Sequence, residues 1–434
     1  MRRLHPLWTT LLAWRAPLAL LFLGGCGTAA PPQTTAGGGV TDVGPDVGAA
    51  DLPADGVEDG VEGGVGDGAA DGGADGAAPD TSSDAAADTP TTPLFPVLPC
   101  KLPIVSAGAV GLGFPRSDVR LRSTGIVRAR VLFVDFSDAP AQAPPQEVAD
   151  ILAPTAAKFF SEASYGAMDF RLDFHLKWLR MSGPSTNYAA AIKTYQGHRD
   201  WLQEAVTLAD AEVDFADADV VVVMAVPTAK AIGYGPTWMG VGGAGGALVA
   251  DGAAITNGVT SGADLLYWGG IWLNHELGHS LGLPDLYDFK GNGGFTRPFS
   301  IRDLISGSAP GYFGYSRWLV GWLADPQVAC LPGAGEVKLS PIELPGGVKI
   351  AMVPRGPSRA LVVESRRAIG LDKALTREGA VVYTVDTAID TGSGPIQVHN
   401  SREALLVGES VTVDGVTVQV LKADGAGDSV KLTF

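Results

Sequence analysis

Apolar positions along the chain fall into two periods that succeed one another. Ile126 to Phe136 is dense in β-branched residues and predicts a strand, and Met168 to Arg180 predicts a second. Between them Gln146 to Tyr165 carries Val148, Ile151, Leu152, Ala156, Phe159 and Phe160 at helical spacing. A further helix is predicted from about His198 to Val213, followed by the continuous apolar run Ala218 to Val226, which suits a strand buried on both faces. Strands alternating with helices predict a layered α/β (α+β) domain. After Cys330 the period shortens to two: Glu336–Leu339, Val348–Val353, Arg359–Glu364, Ala380–Val385, Ser410–Val413, Thr417–Leu421 and Ser429–Phe434 alternate between Gly and Pro punctuation. That spacing predicts a small all-β, sandwich-like domain over 331–434.

Upstream of Pro99 neither period is present. Residues 1–25 read as a signal: Arg2, Arg3 and Arg15 supply positive charge, and Pro17 to Leu23 is an apolar core too short to span a bilayer. The segment runs into Leu23-Gly24-Gly25-Cys26, which resembles a bacterial lipobox, and this implies export with a lipid anchor at Cys26 that holds the protein at the cell envelope, at the outer membrane or cell surface. An ordinary cleaved signal with an incidental cysteine is the alternative, and would leave the protein secreted. Residues 26–98 are Gly, Ala, Asp, Pro and Thr in loose repeats, with thirteen acidic residues and no Lys or Arg. So few large apolar side chains cannot repay the entropy of ordering, so the segment is expected to be a disordered tether.

The formal charge of −16 therefore overstates the acidity of the folded part, which from Pro99 carries only about −6. Mild acidity argues against a nucleic-acid partner.

The chemistry concentrates in Asn274 to Asp288, NHELGHSLGLPDLYD. On a helix from about Trp268 to Leu281, the i,i+4 spacing of His275 and His279 puts both imidazoles on one face, with Glu276 beside them. Two imidazoles and a carboxylate are a donor set for a single Zn²⁺ with an open position, and a metal there activates water for which Glu276 is the general base. Gly282 permits the left-handed turn that ends a ligand helix abruptly. Pro284 bars its continuation, which would let Asp285 reach the metal as third ligand. Asp288 and Glu364 remain competitors for that role. Ca²⁺ near Asp288 and Asn292 is a further, structural option.

On these residues the chain resembles the immune inhibitor A type (M6-like) secreted zinc metallopeptidases, relatives of the metzincins. His275, Glu276, His279, Gly282 and Asp285 match that family's His-Glu-x-x-His-x-x-Gly-x-x-Asp segment position by position. VLFVDFSD at Val131–Asp138, FSEASYG at Phe160–Gly166, VESRR at Val363–Arg367 and GAVVYTVD at Gly379–Asp386 resemble further family segments in the same order. The resemblance covers roughly residues 125–386. It implies a metzincin-like catalytic domain over 99–330, a hydrolase acting on protein or peptide substrates, one catalytic zinc on His275, His279 and Asp285, and Glu276 as base. The family's Asp-Leu-Met-Ser turn is Asp303-Leu304-Ile305-Ser306 here, with Ile305 supplying similar apolar volume. The glycine-rich stretch Ile232 to Gly252 would then form the edge strand and rim of a cleft, where a peptide adds as an antiparallel strand. Two rival functions stand beside this one: a catalytically impaired surface-binding lipoprotein, and a zinc hydrolase of a non-protein substrate.

Other candidates carry less. Cys100 and Cys330 are an even pair in an exported chain, which favours a disulfide; a zinc-capping Cys100 and two free thiols are the alternatives. Gly240, Gly242 and Gly245 form a G-x-G-x-x-G that lacks the strand and helix a dinucleotide site needs. Tyr312 and Tyr315 are candidate donors to a developing oxyanion, against a plain core role. His175, His198 and His399 are isolated.

Overall fold

The computed structural model describes residues 96–106, 110–240 and 246–434. The signal, the Cys26 anchor, nearly all of the acidic tether, and Gly242 and Gly245 lie outside the described residues.

In chain order the elements are β1 (Gly125–Asp135), α1 (Gln146–Leu152), α2 (Ala156–Ala163), β2 (Met168–Arg180), α3 (Ser185–Ala191), α4 (Tyr195–Ala209) and β3 (Val220–Ala225). Next come β4 (Thr237–Met239), β5 (Leu248–Ala250), β6 (Ala253–Ile255), β7 (Asn257–Thr260), α5 (Asp264–Trp268), α6 (Ile271–Ser280) and α7 (Gly314–Leu319). The remainder is strand: β8 (Val328–Cys330), β9 (Gly335–Leu339), β10 (Ile350–Pro354), β11 (Arg359–Arg366), β12 (Gly379–Asp386), β13 (Ile396–Val398), β14 (Ser410–Val413), β15 (Val416–Asp424) and β16 (Gly427–Thr433).

The architecture is mixed α/β with several sheets. The first sheet has the order β2-β1-β3-β7-β4; β4, at the edge, runs antiparallel to β7, while the other pairs are parallel. Strand alternation explains its two covered faces. Val127, Ala129, Val131 and Phe133 of β1 point into a core shared with α2 and α6, whereas Leu132 and Val134 point the other way, into a core built on α4.

Two predicted helices are shorter than the sequence pattern implied. Gln146 to Tyr165 divides into α1 and α2 at Pro154, which cannot continue a helix. The helix expected from Trp268 begins at Ile271 instead. Gly269 sits at φ +64° and ends α5, and a side chain on Gly270 would stand 2.4 Å from the Ile151 carbonyl oxygen, so the Gly-Gly pair lets α6 approach α1 closely.

The later strands form two sheets, β13-β12-β11-β10-β8 and β14-β15-β16-β9. β8 precedes residue 331 in the chain and pairs in parallel with β10. Ala351, Val353, Leu361, Val363, Ala380 and Val382 fill the space between these sheets, and on the opposite face Ile350, Met352, Val362, Val381 and Tyr383 join the core beneath α6. One sheet thus serves two cores. Cys100 and Cys330 form a disulfide with a Cα separation of 5.9 Å, tying the entry of the chain to β8. Among the described residues no helix is long and apolar enough to cross a membrane.

Candidate metal site

Helix α6 is buried over Trp272–Ser280, polar residues included. Burial of this kind has to be repaid by partners, and most of the polar groups here have one, although Asn274 Oδ1 and Ser280 Oγ are buried without a hydrogen bond. Asn274 donates from Nδ2 to the Ala156 carbonyl, and its own carbonyl accepts from the Tyr312 hydroxyl. Gly278 is required by space: a Cβ there would meet Arg302 Nη1 and Tyr312 Oη, each at 3.0 Å.

The helix ends as the sequence implied. Gly282 lies at φ +95°, its N–H donates to the His279 carbonyl, and the Leu283 N–H donates to the Gly278 carbonyl. This paired closure is a Schellman turn, open only to a residue that tolerates the left-handed region. The same turn brings the Leu283 carbonyl to 3.0 Å from His279 Nδ1, and the Ile301 carbonyl lies 2.8 Å from His275 Nδ1. Carbonyl oxygens only accept, so both Nδ1 atoms carry the proton and both Nε2 atoms present a lone pair.

Asp285 follows the turn. Its Oδ1 lies 3.2 Å from His275 Nε2 and 3.3 Å from His279 Nε2. These distances would suit ion pairs with protonated imidazoles. Burial, reinforced by Arg302, nevertheless holds His275 down to about 4 and lowers His279 as well, so both rings are neutral at pH 7. Burial pushes the Asp285 carboxyl up, but the positive charge beside it, for which Arg302 at 3.2 Å is the source when the rings are neutral, outweighs burial and holds the carboxyl well below the usual range. Two lone pairs and a carboxylate converging in a buried space are a donor set that calls for a cation. Among the described residues, His275, His279 and Asp285 are the group whose ligand atoms, all within 4.8 Å of one another, can hold a metal ion.

The loop carrying Asp285 is braced from the later strands. The Asp285 N–H donates to Thr391 Oγ1, its carbonyl accepts from the Gly392 N–H, and the Phe289 N–H donates to the Gly392 carbonyl. The segment joining β12 to β13 thereby fixes the third donor.

The competing carboxylates are engaged elsewhere. Glu364 accepts from the Gly314 N–H, the Tyr383 hydroxyl and Arg366, within the core. Asp288 closes its own exposed loop, accepting from the Lys290 N–H and from Asn292 Nδ2. Cys100 is likewise committed, to the disulfide rather than to a metal. Tyr312 and Tyr315 are buried, their hydroxyls donating to the carbonyls of Asn274 and Leu112, so neither is available to an oxyanion. Ile305 packs in the core. His198 is buried against Thr260, His175 lies 3.7 Å from Glu212, and His399 approaches Thr384.

Glu276 stands on the same helix as the imidazoles. Burial pushes its carboxyl well above the usual range, with Asp264 and Asp285 adding to the rise against Arg302. Thr237, on edge strand β4, donates to the Glu276 carbonyl at 2.7 Å and lies 3.1 Å from its Oε2.

Sequence reasoning did not single out Thr237, Thr391 or Arg302. For the two threonines nothing in the local sequence marks the role, since each acts from an element remote in the chain. Arg302 left no distinguishing signal either, since Asp303 stands next to it in the sequence. Arg302 Nε donates to the Pro284 carbonyl and its Nη1 to the His275 carbonyl, while Nη2 lies against the His279 ring, 2.8 Å from Nδ1 and 2.7 Å from Nε2, and 3.2 Å from Asp285 Oδ1.

A comparison with known protein families finds no family model that matches the chain, and no curated protein matches it significantly.

Proposed function

We propose that this chain is a zinc-dependent endopeptidase of the metzincin-like type, exported and held at the cell envelope by a lipid on Cys26. The observation that carries the reading is the convergence of His275 Nε2, His279 Nε2 and Asp285 Oδ1, with both Nδ1 protons directed to backbone carbonyls. Two neutral imidazoles and one carboxylate are the donors zinc prefers at catalytic sites that keep an open position. When bound, zinc supplies Lewis acidity and lowers the pKa of a water in that position.

The chain's own residues do the rest. Glu276, kept out of bulk water and held by Thr237, is placed to take a proton from the attacking water and return it to the leaving amine. Strand β4 lies at the edge of its sheet and runs antiparallel to β7, so its outer side offers backbone groups to an extended peptide next to Glu276.

A second reading is favoured by one observation. The Arg302 guanidinium already lies among the donors, which suits a catalytically impaired, surface-binding lipoprotein. The deciding experiment is zinc content of the full chain, paired with hydrolysis of unfolded casein with and without chelator. One zinc per chain and chelator-sensitive cleavage support the peptidase; stoichiometric zinc with no cleavage of casein or a peptide library favours the binding protein.

A further inference from the structure

Away from the metal site, the later strands hold a buried group of charges that the proposed chemistry does not use. Glu364 and Arg366 of β11, with Asp372 just beyond, are fully buried. Every N–H of the Arg366 guanidinium already has an acceptor: Nε donates to Glu364, Nη1 to Asp372 and the Gly311 carbonyl, and Nη2 to the carbonyls of Gly311 and Tyr312. The two carboxylates hold the same stretch, Asp372 accepting from the Gly311 N–H and Glu364 from the Gly314 N–H. Residues 311–314 are thus gripped by the charges, and from that stretch the Tyr312 hydroxyl reaches the Asn274 carbonyl, one residue before His275 on α6.

A third carboxyl stands beside Arg366 with no donor left for it. Both oxygens of Glu343 are buried and neither makes a hydrogen bond. The other polar groups around it are committed to backbone or to solvent-side partners. Arg317 gives Nε to the Tyr312 carbonyl and Nη1 to the Ile342 carbonyl, and Lys349 gives its ammonium to the carbonyls of Pro341 and Leu344. The Tyr165 hydroxyl donates to the Ile342 carbonyl, and Glu162 lies 3.5 Å from Lys158. A carboxylate enclosed without a donor is costly enough that the group takes up a proton instead. Burial, with the negative charge of Asp372 adding to it against Arg366, pushes the Glu343 carboxyl up to about 8.

We propose that Glu343 is a pH-sensitive element in the support of the metal helix: neutral, it leaves Arg366 to Glu364, Asp372 and the Gly311 and Tyr312 carbonyls; ionised, it draws on the same guanidinium and loosens the grip on Tyr312. A cavity of about 260 Å³, which Glu343 shares with Tyr165, Arg317 and Leu371, gives water and the side chain room, so the change is local and the fold survives it. The sign with pH follows. The folded chain keeps a proton on Glu343 that the unfolded chain, with an ordinary glutamate near 4.5, gives up. The stability this contributes is complete below about pH 4.5, declines as pH rises, and is exhausted once pH passes about 8.

The test is urea unfolding of the full chain, with chelator present, for the parent, Glu343→Gln and Glu343→Met from about pH 5 to about pH 9.5. The comparison cancels every other titrating group, and the Met variant guards against a poorly placed amide. The midpoint of each variant should gain on the parent's as pH rises to about 8 and keep a constant lead above that. Unfolding at about pH 6.5 in weak buffer should release about one more proton per chain from the parent than from Glu343→Gln. For the link to the helix, Tyr312 stacks on Trp322 with ring centroids 5.7 Å apart, so the near-UV circular dichroism of the folded parent should change between about pH 6.5 and about pH 9.5 in a way the variants do not follow. Parallel midpoint curves with equal proton release would overturn the proposal, since Glu343 would then be ionised in the fold. Extra proton release with an identical near-UV response in parent and variants would overturn the connection to Tyr312.

Discussion

Replacing Asp285 by Ala probes the site through stability alone, with no need for a substrate. The Asp285 and Arg302 side chains are each only 2% exposed and lie 3.2 Å apart. Removing the carboxylate strands a buried guanidinium, a loss that costs about 3–5 kcal/mol in buried pairs. Arg302 keeps the carbonyls of His275, Pro284 and Leu283 as acceptors, which places the expected cost at the lower end, about 3 kcal/mol. Urea unfolding in the presence of chelator measures it as a fall in midpoint at unchanged slope. Adding Arg302→Met to Asp285→Ala should recover most of the loss, because the stranded charge is then gone. The sign with pH follows from the depressed carboxyl: its contribution is present above about pH 4, the unfolded value, and disappears as pH falls through the lower folded value. A loss below about 1 kcal/mol for Asp285→Ala, with no coupling to Arg302, would refute the view that the carboxylate compensates a buried charge.

Other consequences are separable. Glu276→Ala removes the base and spares the ligands, so zinc stoichiometry should persist while casein hydrolysis falls about a hundredfold or more; full activity would eliminate Glu276 as base. His198, buried against Thr260, is held by burial near 3, so the folded protein resists protonation there. Stability is then complete above about pH 6.5 and declines below it, by about 3 kcal/mol at pH 4.5, and His198→Gln should flatten that decline in urea midpoints taken at the two pH values. The Cys100–Cys330 bridge spans 230 residues, and Cys100→Ser with Cys330→Ser should cost up to about 5 kcal/mol through the freed unfolded chain. Unfolding midpoints that do not change on reduction would contradict this.

What the sequence alone made legible is the part governed by local rules. The i,i+4 pair His275 and His279, the Gly282 stop and the reach of Asp285 all lie within eleven residues, where helix periodicity and turn chemistry dictate geometry. The strands β1 and β2 were readable for the same reason, since alternation and β-branching are local signals. The breaks at Pro154 and Gly269 were missed because the apolar pattern runs on across them, although backbone chemistry does not allow the helix to follow. Everything that surrounds the donors was decided by tertiary structure. Thr237 meets Glu276 from a strand thirty-nine residues away, Thr391 fixes Asp285 across a separation of 106, and Glu364 is removed from contention by Arg366 and Tyr383. Arg302 belongs to the same class: beside Asp303 its charge is unremarkable in the sequence, and only the folding of its turn against α6 brings it to His279 and Asp285. Local sequence can specify which atoms are offered; the long-range packing that removes them from water decides what competes for them.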